Sequence, residues 1–317
     1  MRLAIWVAIG LAMLATIPEA VAPQKDSTSY DLALLDLAEA YKSKSPEAMA
    51  RTVFAFGGSH LAYGLDSAQF AEAGLELANL GLNVGVGLAY PMHLIDWIRT
   101  ALPHSTPPAA ILISPAATHF IDENQYTEYL PNLLAAVPGG ARWAWACDGL
   151  PLWLEVKARA GRVWSEYFTQ QLNLTPHRRD QPIVGNLHRD ILTGAGTIDE
   201  QWLILDTLPK SLKKVHPFKR AVQAPRTLAW LSKQDIPIFV LPPALPEPDV
   251  EVCKSLNVAY ENFTNACGDK ASLLLKYPQG SFPTTHFIDR AHLNPKGRAL
   301  WTRQIIEALT DSTRNSH

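Results

Sequence analysis

An α/β fold built on a parallel sheet is predicted by three features of this 317-residue chain. Short apolar runs of strand length recur at 52–56, 110–113 and 236–241. Segments with apolar residues at helical spacing separate them, the alternation expected of βαβ units. The first run, Thr52-Val53-Phe54-Ala55-Phe56, stops on Gly57-Gly58, as a strand buried on both faces would before a tight turn. Hydrophobic residues make up 47% and charged ones 18%, so a sizeable core is available. The net charge of −2 comes with no clustered basic face, which excludes an ordinary nucleic-acid binder.

Taken in order, the chain begins with Met1-Arg2 and an apolar run from Leu3 to Ile17. That run is about five residues short of the roughly twenty needed for a membrane span, and fits a secretory h-region. Ala20-Val21-Ala22 has the small-x-small form of a cleavage site. Pro23 directly after it disfavours cleavage, which leaves an uncleaved anchor as the alternative. Residues 1–22 are therefore read as a signal peptide or N-terminal membrane anchor. The protein is expected in the periplasm or on the outer face of a bacterial inner membrane, with membrane association through this segment. Residues 23–317 are read as one domain with an insertion.

Within that domain Asp31 to Tyr41 reads as a helix packed outside the sheet, followed by the strand that ends at the glycine turn. A short helix is predicted from Ser67 to Ala73, a second strand within Leu75 to Val86, and a helix from Tyr90 to Leu102. Ala110 to Ser114 is the third strand and Tyr126 to Val137 another helix. The alternation breaks from Arg142 to about Lys219, which reads as helical insertions over one end of the sheet. Trp143, Trp145, Trp153 and Trp164 cluster there. Their faces suit a sugar or acyl group, and equally an ordinary satellite core. His188 and Arg189 fit a solvated loop as well as a site. Order resumes with a helix from Arg226 to Ser232 and a strand from Ile236 that Pro242 and Pro243 end. Val250 to Thr264 reads as a helix. The last helix carries Leu300, Trp301, Ile305, Ile306 and Leu309 on one face, with Asn294 as N-cap and Pro295 at its first position.

Three cysteines are present, of which Cys253 and Cys267 could pair and leave Cys147 alone. No Cys/His spacing has the form of a zinc site. Neither a metal nor an organic cofactor is expected.

The chemistry-bearing residues sit at the two ends of the domain. Ser59 follows the glycine turn at the carboxyl end of a strand, where open α/β sheets place their ligands. A serine there can act as a nucleophile once a base removes its proton, or can simply cap the helix that follows. Near the other end, Asp289 precedes His292 by three residues, in the loop that feeds the last helix. The acid could hold one ring nitrogen and leave the other to act on the serine.

Gly57-Gly58-Ser59-His60-Leu61-Ala62-Tyr63-Gly64 resembles the first sequence block of the SGNH/GDSL hydrolase superfamily, and Asp289-x-x-His292-Leu293-Asn294-x-x-Gly297 resembles its last block. The resemblance covers the two ends and not the middle. It implies a three-layer α/β/α, flavodoxin-like parallel sheet with a helical insertion, with Ser59 as nucleophile, His292 as base and Asp289 orienting it. It also implies an oxyanion donor at Gly85 or Gly87, with Gly87 favoured. The third block departs from the family: Ser114-Pro115-Ala116-Ala117-Thr118-His119 stands where an Asn-bearing turn is usual. Thr118 or His119 could donate instead, with Asn124 more distant. The function so implied is a serine ester hydrolase that forms an acyl-enzyme and acts on an acylated carbohydrate or cell-envelope ester. The alternatives are an O-acyltransferase on the same site, or a non-catalytic glycan- or lipid-binding protein of the same fold. Partners are then a small-molecule or polysaccharide ester, and no nucleic acid.

Overall fold

The structure, a computed structural model, describes residues 44–81, 106–116, 141–142, 144–145, 150–171, 232–233, 236–247, 250–288 and 292–314, with backbone alone for 162–171 and 312–314. The expected helices at 31–41, 90–102 and 126–137, most of the 226–232 helix, and the N-terminal segment 1–22 lie outside these residues.

The chain divides into two compact units, one holding Thr127–Val184 and the other Leu34–Tyr126 with Gly185–His317. The second contains every described strand. Its elements run α1 (Pro46–Met49), β1 (Thr52–Gly57), α2 (Ser59–Gly64), α3 (Ser67–Glu72), β2 (Glu76–Asn79) and β3 (Ala110–Ser114). The first unit supplies α4 (Leu150–Gln171). The second then continues with β4 (Ile238–Val240), β5 (Leu245–Pro246), α5 (Val250–Cys267), β6 (Ala271–Leu273), β7 (Ser281–Phe282) and α6 (Pro295–Arg314), with a 3₁₀ turn at Thr284–His286 before α6.

The fold is α/β. Five strands form one sheet in the order β2-β1-β3-β4-β6, and every pairing in it is parallel. Both faces of the central strands are buried, which is why β1 and β3 read as continuous apolar runs. On one face Val53, Ala55, Leu112 and Phe239 share a core with Leu61, Phe70, Trp301, Ile305 and Leu309. Their neighbours Phe54, Phe56, Ile111, Ile113, Ile238 and Val240 alternate with them and are buried as well. α5 packs against β4 and β6. The register puts Gly57 opposite Ser114 and Ile113 opposite Val240, so β1, β3 and β4 end side by side.

Several expectations are corrected. The strand starting near Ile236 is only three residues long, because Pro237 flanks it on one side and Pro242 and Pro243 follow closely on the other. A fifth strand, β6, and the two-residue pair β5–β7 were not expected from sequence. Cys253 and Cys267 are both buried and are not disulfide-bonded. They lie on the single helix α5, fourteen residues or about 21 Å apart along its axis, where no disulfide can form. Burial pushes the Cys267 thiol up to about 12. Cys147 lies outside the described residues.

In the first unit, Leu152, Val156 and Ala160 make a buried stripe at four-residue spacing along α4. Trp145 is exposed and meets Trp153 edge to face at 6.5 Å. No described helix is long and apolar enough to cross a membrane.

Candidate active site

The site is made where α2 and the loop before α6 meet. β1 ends on Gly57 beside the end of β3, so closely that a Cβ at Gly57 would lie 2.7 Å from the Ser114 carbonyl oxygen. Gly58 then takes an extended conformation, φ −88° and ψ −166°, and α2 begins at Ser59 itself. Ser59 is thus the first residue of the helix and not its N-cap, and its hydroxyl is not used in capping. Gly58 supplies the cap position and accepts backbone bonds from Leu61 and Ala62.

His292 arrives from the other end of the chain. Phe287 and Leu293 bridge antiparallel, and Ile288 N–H donates to the His292 carbonyl at 2.8 Å, so the His292 backbone closes a narrow loop. Asn294 fixes the exit from that loop. Its Oδ1 accepts from Gly297 N–H at 3.0 Å, the N-cap bond of α6, and its Nδ2 donates to the Thr285 carbonyl at 2.8 Å. The Asn-Pro signal is borne out. A side chain at Gly297 would run into the His286 carbonyl, which explains the glycine there.

These two constructions bring His292 Nε2 to 2.8 Å from Ser59 Oγ, across 233 residues of sequence. Both side chains are half-buried, so the pair is shielded yet reachable. The contact can move a proton from serine to imidazole when Nδ1 carries the ring proton and Nε2 is the acceptor. Tyr63, one helical turn beyond Ser59, lies edge-on to the His292 ring at 5.4 Å and 83°. It leaves the imidazole little room to swing away. Tyr63 is buried, and burial raises its phenol to about 12, so it stays neutral beside the pair.

The relative placement of Ser59 and His292 depends on how α2 sits on α6. Trp301, fully buried, lays its six-membered ring against Gly64, where a Cβ would be 2.6 Å from Cζ3. Thr302 Oγ1 accepts from Asp66 N–H at 3.1 Å and lies 3.4 Å from the Gly64 carbonyl. Asn79, at the end of β2, donates to the Ala62 carbonyl at 3.1 Å. The six-residue helix is thereby held at both its C-terminus and its flank.

A second serine–histidine contact stands directly behind the first. His60 Nε2 lies 2.9 Å from Ser114 Oγ and 3.1 Å from the Ser114 carbonyl. A carbonyl only accepts, so Nε2 carries the proton and donates to Ser114. Ser114 Oγ in turn donates to the Leu241 carbonyl at 2.7 Å. Its hydroxyl proton points away from the imidazole, and Ser114 is fully buried. This pair has the wrong hydrogen-bond direction and no access for a nucleophile, whereas Ser59 and His292 are only half-buried and the Nδ1–H tautomer of His292 leaves Nε2 free to accept from Ser59.

Of the residues named from sequence, Ser59 and His292 are brought together. Asp289, Gly85, Gly87, Thr118, His119, Asn124, His188 and Arg189 lie outside the described residues. Sequence reasoning gave no role to Tyr63, His60 or Ser114. The four-residue step from Ser59 to Tyr63 would have found the first, had the turn been read as helical. Among the described residues no cluster of His, Cys, Asp and Glu could hold a metal ion. No family model matches the chain, and no curated protein matches its sequence.

Proposed function

We propose that the chain is a serine ester hydrolase of the SGNH/GDSL type. The observation that carries the reading is the 2.8 Å contact between Ser59 Oγ and His292 Nε2, made by the two segments that resemble the family's first and last blocks. The parallel order β2-β1-β3-β4-β6 supports it, because with β6 counted as the fifth strand of the sheet it is the 2-1-3-4-5 order of flavodoxin-like folds. With α6 and α2 sharing a core with one residue set of the sheet and α5 packed on β4 and β6, a three-layer α/β/α arrangement is the simplest account.

In this scheme Ser59 Oγ attacks the ester carbonyl while His292 Nε2 takes its proton. The imidazolium then protonates the leaving alkoxide, and an acyl-serine remains. Water, deprotonated by the same nitrogen, releases the acid and restores the serine. Asp289 is assigned to hold the imidazole from its Nδ1 side. The Ser59 N–H starts a helix, has no intrahelical partner and faces no acceptor among the described residues, so it can serve the oxyanion together with Gly85 or Gly87. Ser114, at the start of the departing third block, is not a donor to that oxyanion, since its hydroxyl is bonded to Leu241.

The substrate class we assign is an acylated carbohydrate or other envelope ester, met after export through the N-terminal segment. An acyl acceptor other than water would make the same site an O-acyltransferase. The test is turnover of a small chromogenic acetyl ester by the wild type and by Ser59→Ala. The expected result is a loss of about 10³-fold or more in the variant. Equal turnover by both proteins would refute the assignment.

A further inference from the structure

Behind the nucleophile lies a polar chain that the acyl-transfer scheme leaves unused. It runs from His60 on α2 through Ser114 at the end of β3 to the Leu241 carbonyl just past β4. All three residues are buried. A helix of six residues has almost no stability of its own, so its position is set by what it is bonded to. His60 is its second residue, adjacent to Ser59, and its imidazole is the bond that ties the helix start to the carboxyl edge of the sheet.

We propose that His60 is a positioning residue for Ser59, acting by clamping the first turn of α2 to the ends of β3 and β4. The inference rests on the reading of Ser59 as the nucleophile. The two bonds from one Nε2–H to Ser114, 3.1 Å to the carbonyl and 2.9 Å to the hydroxyl, fix both the depth and the rotation of the turn. An apolar side chain of similar size fills the space and supplies no donor, leaving Ser114 with an unmet acceptor in a buried position. The turn then settles at a different depth, and the distance from Ser59 to His292 changes with it. The chemical step is sensitive to a shift of that kind, while substrate binding is much less so.

Glutamine carries its amide nitrogen at about the same reach from the backbone as histidine Nε2, and asparagine falls one atom short. The experiment compares His60→Leu, His60→Asn and His60→Gln with the wild type. For each, kcat and KM are measured on a chromogenic acetyl ester, together with the rate of Ser59 labelling by a fluorophosphonate. We expect kcat and labelling to fall about 10- to 100-fold in the Leu and Asn variants, with KM within about threefold. His60→Gln should stay within about threefold of wild type on every measure. Amide hydrogen exchange at Leu61 and Ala62, which bond to the Gly58 carbonyl, is followed in the same proteins. It should quicken in His60→Leu and return to normal in His60→Gln. Wild-type kcat in His60→Leu, or a fall in His60→Gln as deep as in His60→Leu, overturns the proposal. If the wild type neither turns over nor labels, the hydrolase reading fails by itself. The exchange data then decide the clamp: unchanged exchange in His60→Leu overturns it, and quickened exchange restored by glutamine upholds it.

Discussion

Replacing Gly64 by alanine should damage the site without touching either reacting residue. A Cβ at Gly64 would sit 2.6 Å from Trp301 Cζ3 and 3.0 Å from Cε3. The nearer atom is about 0.8 Å inside ordinary van der Waals contact. Trp301 is fully buried in the core that α2, α3 and α6 share, so its ring has nowhere to retreat. The strain must then part α2 from α6. Ser59 travels with α2, and His292 is anchored three residues before the start of α6 by Asn294, so the 2.8 Å contact stretches. Overpacking of this kind costs about 1–3 kcal/mol of stability. A displacement approaching 1 Å in a reacting pair costs about 10²-fold in rate. The assay pairs urea denaturation with the labelling rate of Ser59 by a fluorophosphonate. Trp301→Leu, which removes the clashing ring, should couple favourably with Gly64→Ala by about 1 kcal/mol or more in a double-mutant cycle. A Gly64→Ala protein with normal stability and normal labelling would refute the idea that this helix contact sets the site geometry.

Two further predictions concern the scaffold. Asn294→Ala removes the cap bond to Gly297 and the tether to Thr285, and should lower the urea midpoint by an amount equal to about 1–2 kcal/mol with an unchanged m-value, slowing Ser59 labelling as the His292 loop loosens. Alkaline pH should also unfold the protein. Burial holds Tyr63 and Cys267 up to about 12, and Tyr260 and Tyr277 well above the usual phenol range, so the native state keeps protons that the unfolded chain gives up. Native groups with raised values stabilise fully below the unfolded-state values, and that contribution is lost as pH climbs. Unfolding free energy should therefore fall from about pH 9 towards 12, by about 1.4 kcal/mol per pH unit for each such proton, and Tyr63→Phe should make the fall shallower by about one proton.

How much of this was legible in the sequence follows from which interactions are local. β1 and β3 could be read because strands buried on both faces must be apolar throughout. α6 could be read because its buried face repeats at helical spacing and Asn294-Pro295 marks its start. β6 could not, since Ala271-Ser272-Leu273 has neither length nor alternation and is a strand only through its pairing with β4. The disulfide expectation failed because two cysteines close in sequence were placed on one rigid helix, which holds them apart. At the site, the spacing of glycines and the order of serine and histidine pointed to the two residues that the structure brings to 2.8 Å. What the spacing could not reveal was why Gly64 and Gly297 are glycines: their neighbours are Trp301 and the His286 carbonyl, met only in three dimensions. His60 escaped notice for the same reason, because its partner Ser114 lies 54 residues away.

The central claim is that His292 activates Ser59. It is tested most directly by reacting the folded protein with a fluorophosphonate probe and locating the adduct by mass spectrometry, in the wild type and in His292→Ala. The account predicts a single adduct on Ser59, lost in the variant, with the buried Ser114 unmodified in both. Absence of any adduct on the folded wild type, or an adduct on Ser59 that persists undiminished in His292→Ala, would contradict it.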